Sequence, residues 1–200
     1  MSDEGVDGRA LRYRHRRAEI LAAVLDYLLE NGVHGLSFRK LGTAVGVSHV
    51  TMRHHFGTKD ELLLEVMELI RTREPVPLDL PPDDAPTDVV RKLWAWWTQP
   101  ENLRYYRLMY EAYGLALQSP AAYQGFLQST VPHWIEDTRR LALDAGCPPE
   151  RVDAFATLLV AQLRGLLLDL LTTGDDERVE DALDLLVEGL AAEHRAWAGR

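Results

Sequence analysis

Ser37-Phe38-Arg39-Lys40-Leu41-Gly42-Thr43-Ala44-Val45-Gly46-Val47-Ser48-His49-Val50-Thr51-Met52-Arg53-His54-His55-Phe56 is the stretch whose reading decides the fold. Phe38, Leu41 and Val45 recur at i, i+3 and i+7, and Met52 and Phe56 lie four apart, so two short helices each have one apolar face. Ser37 and Ser48 precede those helices, where a hydroxyl oxygen accepts a backbone N–H left over in the first turn. Gly46 ends the earlier helix and allows a sharp turn. Helix, tight turn, helix is the order in which a helix-turn-helix presents its second helix to a DNA groove.

Outward from this stretch the chain reads as all helix. Leu11 to Glu30 carries Ile20, Val24 and Leu28 on one face and stops at Asn31-Gly32. Thr58-Lys59-Asp60-Glu61 is a capping box that opens a helix running to about Arg73. Prolines at 75, 77, 81, 82 and 86 make Glu74 to Pro86 a loop or linker. Further helices are expected from Thr87 to before Pro100, from Glu101 to Leu117, and from Ser119-Pro120 to about Ala145 with a bend near Ser129 caused by Pro132. Glu150 to Thr173 is a very apolar helix closed by Gly174, and Asp175-Asp176-Glu177 opens the last one, which reaches about Trp197. This gives about nine helices: a tail over 1–8 expected to be disordered, a three-helix module over 9–57, and a helical domain over 58–200.

Charge divides the same way. The whole chain has a formal net charge of −9, yet Gly8 to Lys59 holds nine Lys/Arg against three acids, a local +6. The remainder, with 13 bases and 28 acids, is at −15. A basic module on an acidic body points to a polyanion-facing end and limits indiscriminate sticking elsewhere. The single Cys147 excludes an internal disulfide and fits a reducing, cytoplasmic setting. Leu158 to Leu171 is the longest apolar stretch, but Gln162, Arg164 and Asp169 interrupt it, which argues against a membrane span.

Enzymatic chemistry finds no support: there is no Gly-rich phosphate loop and no nucleophile elbow, and Cys147 sits in a proline-rich connector, so no catalytic residue or cofactor is expected. His49, His54 and His55 lack the Cys or carboxylate companions of a zinc set, so no metal is expected either.

Residues 18–66 resemble the DNA-binding module of TetR-family transcriptional regulators. The resemblance is carried by Ala18-Glu19-Ile20-Leu21, Asn31-Gly32, Ser37-Phe38-Arg39-Lys40-Leu41, Gly46-Val47-Ser48, His55-Phe56 and Lys59-Asp60-Glu61-Leu62-Leu63, in order and at family-like spacing. Two positions depart from the family: Val50 stands where a small residue is usual, and Arg53 where a phosphate-contacting Tyr is usual. Leu41-Gly42-Thr43 replaces the commoner Ile-Ala and leaves the fold intact.

The physical roles follow from residue type. Ser37 and Ser48 cap helix ends that offer N–H groups to phosphates, and Arg39, Lys40 and Lys59 are candidate phosphate contacts. His49, Val50, Thr51, Arg53 and His54 lie where side chains enter a major groove; Arg53 suits guanine, and Val50 or Thr51 a thymine methyl. Arg9 to Arg17 either track the DNA backbone or an adjacent minor groove, or form a solvated helix start.

In the larger half, Trp94, Trp97, Tyr106, Tyr110, Tyr113, Phe126 and Trp134 are candidates to line the small-molecule cavity that the family resemblance implies, with Gln162 and Arg164 as polar groups; core packing is the alternative for each. Leu159, Leu163, Leu166, Leu170, Leu183, Leu186 and Leu190 on the last two helices exceed what one protected face needs. The resemblance implies that they build a four-helix homodimer interface, hence a pseudo-palindromic operator. The function so implied is a ligand-responsive regulator, by family default a repressor; a ligand-independent DNA-binding or protein-partner module is the alternative.

Overall fold

The computed structural model describes residues 4–73 and 84–198, all helix, turn and loop with no strand among them. They divide into two compact units: residues 4–73 with 108–127, and residues 84–107 with 128–198.

In the first unit, α1 (Glu4–Asn31), α2 (Phe38–Ala44), α3 (His49–Phe56) and α4 (Lys59–Arg73) enclose one core. Ile20, Val24 and Leu28 of α1 meet Leu41, Met52, Phe56, Leu62, Leu63 and Val66, all buried. The periodic apolar positions therefore all point inward. Completing this core are Leu108, Ala112 and Ala116 from the later part of α6 (Pro100–Gln118), and Tyr123 and Phe126 around a 3₁₀ turn (Pro120–Ala122) and the start of α7 (Gln124–Asp144). Packing thus places α4 with the helix-turn-helix.

α1 begins at Glu4, so residues 4–8 are helical where a disordered tail is expected; residues 1–3 lie outside the described residues, as do 74–83 of the expected proline-rich loop. α7 begins at Gln124 and not at Pro120. The reason is tertiary: the Asp60 carboxylate of α4 accepts the Gly125 and Phe126 N–H groups at 3.0 and 2.9 Å, which fixes the first turn there. A Cβ at position 125 would stand 2.8 Å from that carboxylate, so glycine is the residue that admits it. The α1–α2 turn is held similarly. Glu111 of α6 accepts the Val33 N–H at 2.9 Å, and its oxygen lies 2.3 Å from where a Gly32 Cβ would be, at a residue whose φ is already +68°.

The second unit holds α5 (Pro86–Trp97), the first turns of α6, the rest of α7, α8 (Val152–Thr173) and α9 (Asp176–Ala198). α9 packs against both α5 and α8. Trp94 is buried and donates its indole N–H to Glu180 at 2.8 Å, and Arg91 pairs with Asp184 at 2.8 Å. Val160, Leu163, Leu167 and Leu170 are the buried stripe of α8; Val179, Leu183, Val187 and Leu190 are that of α9. At the α8–α9 corner, Arg178 donates to Asp169 at 2.6 and 3.0 Å and to Asp175 at 3.1 Å. These bonds hold the Asp169 carboxyl below its usual range and the guanidinium more firmly charged. Ala142, Cys147, Val152 and Trp197 form a smaller cluster, and burial pushes the Cys147 thiol up.

α8 is long and apolar enough to cross a membrane by length and composition alone. Part of that character is its buried stripe against α9; the outward leucines form a further apolar surface.

Candidate nucleic-acid interface

The helix-turn-helix is built by local caps. Ser37 Oγ accepts the Lys40 N–H at 3.2 Å and Ser48 Oγ accepts the Thr51 N–H at 3.0 Å. Gly46 adopts φ +73°, which lets the chain reverse, and the Val47 N–H returns to the Gly42 carbonyl at 2.8 Å. A Cβ on Gly42 would approach the Val47 carbonyl to 2.6 Å, so this glycine sets how closely α2 meets the turn.

α3 buries Met52 and Phe56 and turns His49, Val50, Arg53 and His54 outward, with Val50 64% exposed. Thr51 is half-buried and its hydroxyl sits 2.8 Å from Ser48 Oγ. Its polar group is committed to the cap, unlike the open reach expected of it. Arg39 and Lys40 are exposed on α2; with Tyr27, Thr43 and Ala44 they line an open groove of about 400 Å³. Neither has an acidic partner among the described residues. Lys59 is exposed at the start of α4, its ammonium 5.9 Å from the Tyr123 ring centre.

α1 supports the C-terminal end of α3. Tyr13 lies against His55 and His54, at ring separations of 4.8 and 5.8 Å. Arg17 donates to the His55 carbonyl at 3.1 Å and to Glu65 of α4 at 2.5 Å, with its guanidinium 5.2 Å from the Phe56 ring centre. Arg17 is therefore a strut between three helices, and of the basic run Arg14 and Arg16 remain exposed; the side chains of Arg9 and Arg12 lie outside the described residues. Partial burial, with His54, Arg17 and Arg16 nearby, holds the His55 imidazole below its ordinary value.

The capping box of α4 closes as its spacing predicts: Glu61 accepts the Thr58 N–H at 2.7 Å, and Thr58 Oγ1 accepts the Glu61 N–H at 3.1 Å. That bonding lowers the Glu61 carboxyl below its ordinary range.

The aromatics expected around one cavity are distributed between the units. Tyr113 and Phe126 pack together in the first unit, rings 5.1 Å apart, with Phe126 fully buried; Tyr110 falls in the same unit and is half-buried. In the second unit Trp94 is core, Trp97 faces Tyr106 at 5.9 Å, and the Arg164 guanidinium lies 5.4 Å from the Trp134 ring centre. Gln162 is exposed on the outer face of α8, where it lines an open groove of about 470 Å³ with Gly165, Leu166, Asp169, Ala182, Leu185 and Leu186.

Of the seven leucines expected at a dimer face, Leu163, Leu170, Leu183 and Leu190 are buried within the chain, and Leu159, Leu166 and Leu186 are half-buried. The strongest periodic stripe is the α8–α9 seam itself. The outward apolar surface is instead Leu158, Ala161, Gly165, Leu168 and Leu185, flanked by Leu166 and Leu186. Sequence reading did not single it out, because Ala161 and Gly165 carry little apolar surface and the leucines of the buried stripe give the stronger signal. Asp60, Glu111, Tyr13 and Arg17 were also missed as supports, since their partners lie far along the chain.

Comparison with known proteins accords with this geometry. Residues 20–66 match the family of bacterial regulatory proteins described as the tetR family. The HTH-type transcriptional regulator PksA of Bacillus subtilis is 34% identical over 65 residues, a match spanning 32% of this chain and 32% of PksA. The crystal structure of a putative TetR-family transcriptional regulator from Rhodococcus superposes with a TM-score of 0.70 at 21% identity, covering 90% of this chain and 98% of that one. The multidrug binding protein EbrR, crystallised with imidazole, matches with a TM-score of 0.64 at 25% identity, over 87% and 89% of the two chains. The match to the tetR family thus covers the N-terminal module, residues 20–66, and the likeness to these solved structures shows a shared all-helical fold over most of the chain.

Proposed function

We propose that this protein is a cytoplasmic, homodimeric transcriptional regulator that binds a pseudo-palindromic operator and is released from it by a small molecule. The observation that carries the DNA-binding part is the outward face of α3: His49, Val50, Arg53 and His54 are exposed while Met52 and Phe56 anchor the helix. Around it stand exposed Arg39, Lys40 and Lys59, suited to phosphates, whose neutralisation makes affinity depend steeply on salt.

Dimerisation is supported by the outward apolar surface of α8 and α9, with Leu158 58% and Leu185 70% exposed. Such leucines beside Ala161 and Gly165 allow close helix approach on covering by a second copy. Two recognition helices then meet successive major grooves on one face of the duplex.

Ligand response is supported by the aromatic and guanidinium groups of the second unit, Trp97 with Tyr106 and Arg164 with Trp134. EbrR, a protein of similar fold, is a multidrug binding protein. α6 and α7 each belong to both units by sequence, and their first-unit parts hold the DNA module through Glu111 and Asp60. A ligand that favours one arrangement of these helices changes DNA affinity by its differential binding, typically about 1–3 kcal/mol.

Selecting bound sequences from fragmented source DNA with the pure protein tests this reading. An enriched inverted repeat is expected, lost in Arg53→Ala with the dimer intact. Enrichment of nothing would remove the DNA-binding reading; an operator complex that no metabolite weakens, and no metabolite that raises the melting temperature, would favour the ligand-independent module.

A further inference from the structure

We propose that Val50 and Arg53 read two neighbouring bases of each operator half-site, Val50 packing on a thymine 5-methyl group and Arg53 forking onto the O6 and N7 of a guanine. The inference rests on the DNA-binding reading above and names the bases it engages.

Val50 stands in the middle of a face whose other outward members are two imidazoles and a guanidinium. The hydroxyls beside it are occupied. Ser48 Oγ accepts the Thr51 N–H at 3.0 Å and lies 2.8 Å from Thr51 Oγ1, so both hydroxyls take part in the helix cap. What position 50 offers a groove is therefore hydrocarbon alone. Of the features that base edges display in the major groove, the thymine methyl is the one that is hydrocarbon. Thr51 beside it is half-buried, so the more exposed hydrocarbon on this face is that of Val50.

Arg53 is exposed and has no ion-pair partner among the described residues. Glu65 of α4 is paired with Arg17 at 2.5 Å. An unpaired guanidinium fork matches the paired acceptors of guanine, and a protonated arginine cannot accept from adenine or cytosine amino groups. Residues three apart on a helix are separated by about 4.5 Å along its axis, against about 3.4 Å between base pairs. The two contacts thus fall on the same or adjacent steps.

α3 is not free to roll and exchange these positions. Met52 and Phe56 are buried on its inner face, Gly42 lets α2 press on the turn, and Arg17 holds the His55 carbonyl. The register is therefore set by the protein core.

The test uses the full-length protein and a site selected from randomised duplexes. Each thymine of the half-site is replaced in turn by deoxyuridine, which lacks only the methyl, and each guanine by 7-deazaguanine, which lacks only the N7 acceptor. Wild type is expected to lose about three- to fivefold in affinity at one thymine per half-site, the value of one buried methyl, and about tenfold at the adjacent guanine. Val50→Ala should bind the thymine and uracil sites equally, and Arg53→Ala should ignore the guanine replacement. Both substitutions are on exposed positions, and circular dichroism verifies the fold. A half-site indifferent to every uracil, or Val50→Ala retaining the full uracil penalty, overturns the proposal while leaving DNA binding standing. Failure to enrich any sequence removes the DNA-binding reading, and this inference with it.

Discussion

Replacing Arg17 by alanine removes one side chain from three contacts at the junction of α1, α3 and α4. The charge-assisted hydrogen bond to the His55 carbonyl, at 3.1 Å, is worth about 1.5 kcal/mol. The pair with Glu65 has side chains 35% and 27% exposed, so screening discounts it to about 0.5–1 kcal/mol. The guanidinium beside the Phe56 ring adds about 0.5–1 kcal/mol. These contacts share one side chain and do not add fully, so we expect Arg17→Ala to cost about 2–3 kcal/mol. Arg17→Lys keeps the charge without the fork and should recover less than half of that. Urea titration followed by circular dichroism is the assay, because all five tryptophans lie outside the first unit and their fluorescence would report elsewhere. A stability within about 0.5 kcal/mol of wild type, accompanied by weaker DNA binding, would refute the strut. It would return Arg17 to the role of a backbone-tracking charge.

Gly42→Ala gains up to about 1 kcal/mol of helix propensity but drives a Cβ to 2.6 Å from the Val47 carbonyl. A net loss of thermal stability and of DNA affinity is expected, read by melting and by gel shift. Asp60→Ala leaves two N–H groups of the first turn of α7 without their acceptor and should cost about 1–2 kcal/mol in urea titration, Asp60→Asn less. Because Glu61 is lowered below its ordinary range by its Thr58 bond, its stabilisation is full above the unfolded carboxyl value and fades as pH falls through the folded one. Melting temperatures between pH 6 and 3 should therefore drop more steeply for wild type than for Glu61→Gln. Leu185→Glu places a charge on the outward face of α9 and should give monomers in sedimentation with the helix content unchanged; a persistent dimer would place the interface elsewhere.

What was legible in the sequence is what is local. Ser37, Ser48 and the Thr58–Glu61 box cap helices within three residues of themselves, and Gly46 needs only its own φ, so the helix-turn-helix and its outward face could be read directly. Asp60 and Glu111 could not be found that way, because their backbone partners lie 65 and 78 residues away. The leucines of α8 and α9 show a different limit. Periodicity marks a buried stripe but not who buries it, and Leu163, Leu170, Leu183 and Leu190 proved to be covered by their own chain. Aromatic density likewise did not show that Phe126 and Trp134, eight residues apart on α7, fall in separate units. Helix α1 starts at Glu4, ahead of the expected Leu11, and Tyr13 and Arg17 tie it to α3 through partners about 40 residues away, which local periodicity does not show.

Hydroxyl-radical footprinting of the protein on its selected DNA tests the central claim most directly. A dimer presenting two α3 faces should protect two patches, related by an inverted repeat and one helical turn apart on one face of the duplex. Arg53→Ala should abolish both together at a concentration where wild type protects fully. A single asymmetric patch, or protection unchanged in Arg53→Ala, would contradict the account.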